Sequence, residues 1–390
     1  MENFIYDIPT RILFGMNQVE NLGKETKKHA TRILLLYGKN SIKKNGLYDR
    51  VIDQLNKENI YFVELSGVDP NPRIETVRKG AELCKKENLE LILAVGGGST
   101  IDCAKGIAVQ AKYSGDVWND LYMDKKFNLI TDTLSIASVL TLAATGSEMN
   151  GNSVISNMEE NLKQGINSYL LRPKFSILDP TYTMTVNQYQ TAAGIVDIMS
   201  HIFEQYFSAD NKAYLQSRLM EGMLKTIIHF GPIAYKDPNN YEARANIMWT
   251  SSLALNGLPS LGKKSTDWVS HQMEHELSAK YDITHGVGLG ILTPHWMNYV
   301  LDSSNIHRFV DYGKNVWNIN EGDNWNIAKE AILKTREFFT SLNIPEHLSQ
   351  VGIDNSKFEE MAKIVTRRGK IGAMKQLDYN DILEIYKISL

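Results

Sequence analysis

The chain has 390 residues, of which 43% are hydrophobic and 22% are charged, and its formal net charge is −3. These proportions are typical of globular proteins and exclude a disordered or fibrous chain, and the near balance of charge predicts no binding to nucleic acid or to an anionic membrane. Two cysteines, Cys84 and Cys103, are too few for a disulfide framework, and we expect a cytoplasmic protein without a signal peptide. No stretch approaches the roughly 20 apolar residues of a membrane-spanning helix.

The first half of the chain alternates short β-rich runs with amphipathic segments. The β-rich runs cover residues 32–37, 60–65, 91–95 and 134–139, and helical patterns cover residues 74–88 and 101–112. Short buried strands alternating with helices predict a parallel sheet that is covered on both faces. Two further segments, 152–155 and 165–169, flank a polar stretch and indicate a hairpin.

The pattern changes after Asp179-Pro180, where apolar residues recur with the 3.6-residue period of long helices. Such segments cover residues 191–207, 214–230, 241–255, 268–281 and 325–342. We expect the prolines between them to end helices, and these are Pro232, Pro238, Pro259 and Pro345. The sequence therefore predicts an α/β domain over residues 1–180 and an all-helical domain over residues 181–390.

Three consecutive glycines follow the third β-rich run. Gly96, Gly97 and Gly98 precede Ser99 and a helix that we expect to begin at about Ile101. Glycines let the backbone approach an anion closely, and the N-terminus of the helix offers N–H groups and a positive dipole end. We therefore expect phosphate binding here, although an ordinary strand-to-helix turn is the alternative and the G-x-G-x-x-G fingerprint is absent.

A second glycine turn follows the first β-rich run and bears on the choice of dinucleotide. Enzymes that select NAD usually place a carboxylate near the adenosine ribose, where it would repel a 2′-phosphate. No acidic residue lies between Tyr37 and Gly46, and the turn instead contains Lys39, Lys43 and Lys44. This composition favours NADP(H), the alternative being a solvated basic loop.

Asp197 and several histidines have the spacing of a metal site. Asp197 and His201 are four residues apart and so share one helix face, and His271, His275 and His285 follow in a second segment. A carboxylate with three imidazoles suits Fe²⁺ or Zn²⁺ and differs from a structural thiolate site. Separate core histidines, each hydrogen-bonded to the backbone, are the alternative.

The segment from His271 to His275 also matches H-x-x-E-H, an inverted zinc-peptidase signature in which Glu274 would be the base. A peptidase would leave the glycine turns and the Asp197–His201 pair without a role, so we place this alternative far behind a nucleotide-dependent enzyme.

Together these motifs resemble those of the iron-containing (group III) alcohol dehydrogenases, which are related to glycerol dehydrogenase and dehydroquinate synthase. The matching segments run along essentially the whole chain, and they are residues 9–15, 96–99, 144–148, 179–180, 197–201, 271–275 and 285–286. The turn at residues 37–44 looks most similar to that of the branch containing NADP(H)-dependent butanol dehydrogenases and broad-range aldehyde reductases.

The resemblance implies a Rossmann-like α/β domain, an all-α C-terminal domain and an active site in the cleft between them, as in dehydroquinate synthase-like folds. It implies the metal ligands Asp197, His201, His271 and His285, with His275 near the nicotinamide as a candidate catalytic residue. It also implies cofactor contacts, which are Gly38, Asn40, Ser41, Gly97, Gly98, Ser99, Asp102, Thr141, Ser147, Lys163 and Tyr182. A homodimer is a further family-level expectation.

The expected reaction is hydride transfer between a primary alcohol, such as butanol, and NADP(H), with Fe²⁺ or Zn²⁺ as Lewis acid. A lyase resembling dehydroquinate synthase is the first alternative, but it would need a basic site for a carboxylated, phosphorylated substrate. Mostly Trp, Met, Leu and Tyr surround the expected ligands in the sequence, which suits an apolar alcohol. A nucleotide-binding module without catalytic activity is the last alternative.

Overall fold

The computed structural model describes residues 1–208 and 212–390. The chain forms two compact units. The first, here called the sheet unit, comprises residues 7–186 and 239–252. The second, here called the helical unit, comprises residues 1–6, 187–238 and 253–390. The domain boundary expected at residues 180 and 181 stays a prediction.

A six-stranded parallel sheet forms the centre of the sheet unit, in the order β1-β8-β5-β4-β2-β3. Its strands are β1 (Arg11–Phe14), β2 (Arg32–Tyr37), β3 (Tyr61–Leu65), β4 (Leu91–Gly96), β5 (Ser135–Leu140) and β8 (Phe175–Leu178). The central strands β4 and β5 are buried along nearly their whole length, as expected for a sheet covered on both faces. The parallel sheet confirms the α/β fold predicted for the first half.

Five helices of the sheet unit connect these strands: α1 (Leu22–Lys27), α2 (Ser41–Lys44), α3 (Leu47–Lys57), α4 (Ile74–Lys86) and α5 (Gly98–Lys112). A separate antiparallel hairpin consists of β6 (Asn152–Asn157) and β7 (Leu162–Asn167), which confirms the predicted hairpin with shifted bounds. The hairpin packs against α5, the helix that follows the three glycines.

Two strands of the sheet were not predicted. Both β1 and β8 contain only four residues, which is too short to show a clear alternation of apolar and polar positions. They pair with each other in parallel register, with Ile12 opposite Ser176.

The helical unit contains long helices, as predicted. They are α6 (Gln188–Tyr206), α7 (Tyr214–Lys236), α9 (Val269–Tyr281), α10 (His285–Val300), α11 (Ile306–Trp317), α12 (Asn324–Ser341), α13 (Phe358–Val365) and α14 (Tyr379–Ile388). Helix α8 (Tyr241–Ala254) is divided between the units. Its residues 241–252 belong to the sheet unit, and its last two residues belong to the helical unit. Within residues 1–208 and 212–390, no helix has the length and hydrophobicity that crossing a membrane would require.

The prediction that Pro232 ends a helix was wrong. Pro232 lies inside α7, and Pro294 lies inside α10. A proline in a helix interior removes one backbone hydrogen bond and costs roughly 3 kcal/mol. Both helices continue because buried residues on either side of each proline, such as Ile227 and Ala234 in α7, anchor them to neighbouring helices.

Helices α6 and α10 approach each other closely at Gly286. A Cβ atom at this position would overlap the backbone carbonyl of Ala193 in α6, so only glycine permits this distance between the two helices. Gly286 directly follows His285 in the chain, and α6 contains Asp197 and His201. The close approach thus sets the distance between two of the predicted metal-binding segments.

Candidate functional site

The four side chains predicted to bind a metal come together in the helical unit. Asp197 and His201 lie one turn apart in α6, and both are buried. His271 lies in the first turn of α9, and His285 is the first residue of α10. Three helix segments therefore contribute to the cluster, and none of its members comes from the sheet unit.

Asp197 Oδ1 lies at the centre of this cluster. It is 3.8 Å from Nδ1 of His201, 3.9 Å from Nε2 of His271 and 3.7 Å from Nε2 of His285. These separations are too long for hydrogen bonds. They are close to the roughly 3.4 Å that separates two ligand atoms when each lies about 2.1 Å from one tetrahedral zinc ion.

The chemistry of the cluster also fits a divalent metal. Asp197 Oδ1 is buried and accepts no hydrogen bond from any residue that the structure describes. Burying an oxygen of this kind without a hydrogen bond is costly unless a cation binds it. One carboxylate and three imidazoles are a donor set that suits Fe²⁺ or Zn²⁺.

Neither cysteine takes part in this cluster. Cys84 lies in α4 and Cys103 in α5, and both are buried free thiols of the sheet unit. Burial raises the pKa of Cys84 to about 12, and burial raises the pKa of Cys103 as well. Both thiols therefore stay protonated and are poor nucleophiles and ligands.

Two carboxylates lie beside the cluster. Glu204 was not predicted to have a role, and Glu274 was considered only as the base of a peptidase. Glu204 lies 2.9 Å from Nδ1 of His271, and Glu274 contacts Nδ1 of His285. The spacing of Asp197, His201 and Glu204 is four and then three residues, which places all three on one face of α6 and could have identified Glu204. Burial raises the pKa of Glu204, and hydrogen bonds from backbone N–H groups oppose that shift.

His275 lies beside the cluster and not within it. Its ring centroid is 5.7 Å from that of His285, and the side chain is half-buried. The ligand atoms of Asp197, His201 and His271 form one close group, and those of Glu274, His275 and His285 form a second. His285 adjoins both groups, since its Nε2 lies 3.7 Å from Asp197 Oδ1 and its Nδ1 contacts Glu274. The two histidines of the H-x-x-E-H segment thus do not converge on one ion, and Glu274 contacts an imidazole where a peptidase base would meet a water molecule. This geometry contradicts the peptidase alternative.

The three-glycine turn in the sheet unit is tighter than predicted. Strand β4 ends at Gly96 and α5 begins at Gly98, so the expected helix start at Ile101 was wrong by three residues. A Cβ atom at Gly98 would overlap the Thr145 side chain, and one at Gly97 would lie 3.2 Å from Cβ of Leu142. Packing against the loop that follows β5 therefore explains part of the requirement for glycine.

The predicted contacts Ser99 and Thr141 line this turn. The Ser99 hydroxyl donates to the carbonyl of Pro70 and does not cap α5, whose preceding residue is Gly97. Thr141 follows β5 directly, and its backbone N–H donates to the Gly96 carbonyl at 3.0 Å.

Asp102 and Ser147 belong to a buried polar network. Asp102 Oδ1 accepts from the Ser147 hydroxyl, and Asp102 Oδ2 accepts from the Val154 N–H at 2.9 Å. Lys105, which the sequence analysis did not identify, donates to the Ser147 carbonyl at 2.8 Å and to Asn150 Oδ1 at 3.1 Å. Burial lowers the pKa of Lys105 to about 8. The network holds the loop after β5 and the start of β6 against α5.

The two remaining predicted contacts in this region are buried. Lys163 lies in β7 and Tyr182 in a short helical turn after β8. Burial raises the pKa of Tyr182 to about 12, so its hydroxyl remains protonated at neutral pH.

The Gly38 turn follows β2 and leads into α2, which begins at Ser41 after Asn40. Its Lys39 Nζ lies 3.3 Å from Oδ1 of Asp69, a residue that follows β3. No carboxylate lies within the turn itself, but the fold brings Asp69 there from the segment that follows the neighbouring strand β3. The electrostatic environment of the turn is therefore less positive than its composition predicts.

The Gly38 and Gly97 turns lie at the same edge of the sheet. They follow the carboxyl ends of β2 and β4, which are adjacent parallel strands. From β2 the chain passes outward to β3, and it then returns to form β4 on the other side of β2. Such a reversal of strand order is where open α/β sheets bind nucleotides.

Comparison with protein families gives matches along nearly the whole chain. A family model described as "Iron-containing alcohol dehydrogenase" matches residues 9–180. A second, described as "Fe-containing alcohol dehydrogenase family, C-terminal", matches residues 191–390.

Individual relatives are similar over their full length. The chain is 55% identical to NADH-dependent butanol dehydrogenase A of Clostridium acetobutylicum, and the match covers 100% of both proteins. It is 39% identical to NADPH-dependent aldehyde reductase YqhD of Escherichia coli, over 97% of this chain and 96% of that protein. The crystal structure of NADH-dependent butanol dehydrogenase A from Thermotoga maritima matches with a TM-score of 0.95 and 38% identity, over 100% of this chain and 99% of the other.

Proposed function

Because the chain belongs to the iron-containing alcohol dehydrogenase family, we propose that it interconverts primary alcohols, such as butanol, and their aldehydes with NADP(H) and one divalent metal ion, Fe²⁺ or Zn²⁺. Two relatives are named as a butanol dehydrogenase and an aldehyde reductase, and these activities support this substrate class. The lyase alternative has no support among these relatives.

The observation that carries the proposal is the arrangement of three ring nitrogens 3.7 to 3.9 Å from Asp197 Oδ1. Asp197, His201, His271 and His285 would hold the ion. When bound, the ion would supply a Lewis acid for the substrate oxygen, and the nicotinamide would supply or accept the hydride.

The protein's own groups prepare this site in two ways. Burial of Asp197, His201 and His271 excludes water and strengthens every electrostatic interaction there. His275, half-buried beside the ring of His285, would hold the proton that is exchanged with the substrate oxygen. A pH–rate profile of His275→Gln tests this role.

For the dinucleotide, the proposal assigns the pyrophosphate to Gly97, Gly98 and Ser99 at the N-terminus of α5. Other residues at this edge of the sheet or near it would line the nicotinamide and ribose groove: Asp102, Thr141, Ser147, Lys163 and Tyr182. The adenosine 2′-phosphate would meet Gly38, Asn40 and Ser41, beside the ammonium group of Lys39.

A preference for NADH is the second candidate, and two observations favour it. Asp69 lies 3.3 Å from Lys39 and adds a negative charge where the 2′-phosphate would bind. In addition, the relative with 55% identity is named as NADH-dependent, whereas the relative named as NADPH-dependent has 39% identity. The basic residues Lys39, Lys43 and Lys44 support NADP(H).

Elemental analysis of the purified protein, followed by butyraldehyde reduction with each nicotinamide, tests the proposed function. We expect one iron or zinc ion per chain and a higher kcat/KM with NADPH than with NADH. We also expect His271→Ala to lose both the ion and the activity. Turnover by metal-free protein would contradict the role of the ion, and a higher kcat/KM with NADH would contradict the assignment at the Gly38 turn.

We further propose a homodimer in the cytoplasm, since the family resemblance favours the first and the two buried free thiols suit a reducing compartment. Light scattering of the purified protein would measure its mass in solution, and a monomer would contradict the proposed assembly.

A further inference from the structure

Glu204 connects the two helices that contain three of the four proposed metal ligands. It lies in α6, one turn after His201, and is 2% exposed. Its Oε1 accepts the backbone N–H of His271 at 2.9 Å and lies 2.9 Å from Nδ1 of the same residue. Its Oε2 accepts the backbone N–H of Trp268 at 2.7 Å. One carboxylate therefore holds both the backbone and the ring of His271.

The backbone that Glu204 holds has an unusual conformation. Trp268, which immediately precedes α9, has φ of 72° in the left-handed region. A bulky residue there is disfavoured and persists only where its surroundings impose it. Besides the Oε2 contact to Trp268, the Glu204 carbonyl accepts the backbone N–H of Asp267 at 2.8 Å. Glu204 thus holds the N-terminus of α9 from α6, beside the local bond from the Val269 N–H to Asp267 Oδ1 at 3.2 Å.

The contact with the imidazole determines which nitrogen faces the proposed ion. An ionised Glu204 can only accept a hydrogen bond, so its contact with Nδ1 of His271 requires the proton on that nitrogen and leaves the lone pair on Nε2. Nε2 is the atom that lies 3.9 Å from Asp197 Oδ1. The ring is held further by stacking on His201, with centroids 4.7 Å apart. The geometry thus presents Nε2 to the site before any ion binds.

We propose that Glu204 is a positioning residue that fixes the tautomer and the location of His271 for metal binding. This inference rests on the proposed function, because it takes the cluster around Asp197 to be the metal site. Carboxylates that hydrogen-bond to ligand imidazoles typically contribute a factor of about 10 to 100 to metal affinity. Glu204 also positions the backbone of the ligand, and we expect an effect of that size.

The experiment measures metal affinity directly, with Co²⁺ as a spectroscopic probe. Wild type, Glu204→Gln and Glu221→Gln are stripped with a chelator, and each is titrated with Co²⁺ while its visible absorption is recorded. Glu221 is a matched control because it is a buried carboxylate of the same unit that bonds instead to Tyr206, Arg218 and Asn315. Circular dichroism of the metal-free proteins checks that each variant is folded.

We expect Glu204→Gln to bind Co²⁺ 10- to 100-fold more weakly than wild type, with an altered absorption band, and Glu221→Gln to bind it as wild type does. Equal affinity of Glu204→Gln and wild type would overturn the inference, and so would an equal loss in both variants. If wild type itself binds no Co²⁺, the proposed function fails, which is a different outcome.

A measurement on the wild type keeps the inference testable if Glu204→Gln does not fold. In the zinc-loaded protein labelled with ¹⁵N-histidine, NMR distinguishes the protonated nitrogen from the nitrogen bound to zinc. We expect a protonated Nδ1 and a zinc-bound Nε2 for His271. The reverse assignment would overturn the inference.

Discussion

The ammonium group of Lys39 lies 3.3 Å from the Asp69 carboxylate, although the two residues belong to turns after different strands. This pair places opposite charges at the point where the proposed dinucleotide would carry its 2′-phosphate. The Lys39 side chain is well exposed and the Asp69 side chain is partly exposed, so the pair contributes little to stability and can rearrange when a phosphate binds.

We expect Asp69→Asn to raise the ratio of kcat/KM for NADPH to that for NADH by about fivefold, since an exposed charge at this distance is worth about 1 kcal/mol. Lys39→Ala should lower the same ratio. Lys85→Ala is the control, because it removes an exposed positive charge from the last turn of α4, away from the Gly38 turn, and it should leave the ratio unchanged. Steady-state kinetics with both cofactors measure the ratio. An unchanged ratio in Asp69→Asn would show that Asp69 does not influence the selectivity between NADPH and NADH.

The close approach of α6 and α10 at Gly286 leads to a second prediction. In Gly286→Ala the new Cβ would overlap the Ala193 carbonyl, so α10 must move away from α6 and take His285 with it. We expect at least a tenfold loss of metal affinity and a lower unfolding temperature.

Gly222→Ala provides the matched control for this substitution. Gly222 lies inside α7 with nothing within 4 Å of the position of its Cβ, so alanine should stabilise the protein by about 0.5–1 kcal/mol. Its metal affinity should not change. Wild-type affinity in Gly286→Ala would mean that the ligand cluster tolerates the movement of α10.

The buried Lys105 network yields a third prediction, for the sheet unit. Lys105→Met would remove the donor that Ser147, Asn150 and Asn152 share and leave the buried Asp102 without its nearby positive charge. Breaking a buried charged network in this way costs about 3–5 kcal/mol. Thermal unfolding should show that loss, and fluorescence titration should show weaker NADPH binding.

The exposed Lys112 at the end of the same helix is the control for Lys105. It pairs with Asp132 at 3.7 Å, and an exposed ion pair is worth at most about 1 kcal/mol. Lys112→Met should therefore leave stability and cofactor binding nearly unchanged. Equal effects of the two substitutions would contradict a special role for the buried network.

The buried imidazole of His295 should make the stability of the protein depend on pH. Burial lowers the pKa of His295 to about 4, and its Nε2 donates to the Glu346 carbonyl at 3.2 Å. In the unfolded chain, a histidine has a pKa near 6.5, so between pH 6.5 and 4 the unfolded state binds the proton more strongly. The contribution of His295 to stability is therefore complete above pH 6.5 and is lost as the pH falls towards 4.

We expect the unfolding temperature to fall by a few degrees more in wild type than in His295→Gln when the pH is lowered from 7.5 to 5. Glutamine can still donate a hydrogen bond to the Glu346 carbonyl but does not titrate. Differential scanning calorimetry at the two pH values measures the difference, and parallel curves would contradict the assignment.

The sequence predicted the elements whose patterns are strong. The buried strands from Arg32 and Leu91 and the long helices from Gln188 and Tyr241 agree with the structure to within a few residues, because many consecutive positions report the same periodicity. Strands β1 and β8 were missed because four residues contain too little periodicity. Pro232 was wrongly predicted to end a helix, because the local sequence does not show the packing that stabilises α7 on both sides of the proline.

The proposed metal ligands could be predicted from the sequence, whereas the residues that contact them from distant segments could not. Residue type and spacing indicated a metal site, and the family resemblance implied the set Asp197, His201, His271 and His285. The structure brings ring nitrogens of the three histidines to 3.7–3.9 Å from Asp197 Oδ1. Glu204 shares a helix face with Asp197 and His201, which is the one signal for it in the sequence. Its contacts with Trp268 and His271, like those of Lys105 with Ser147 and Asn150, join distant segments and depend on the fold. The same is true of Asp69, whose proximity to Lys39 depends on strand order.

All four proposed ligands belong to the helical unit, whereas the proposed dinucleotide contacts belong to the sheet unit. Saturation with coenzyme should therefore not require the ion. When metal is scarce, newly synthesised protein would bind the dinucleotide but have no activity. Restoring iron or zinc would then activate protein that already has its coenzyme bound.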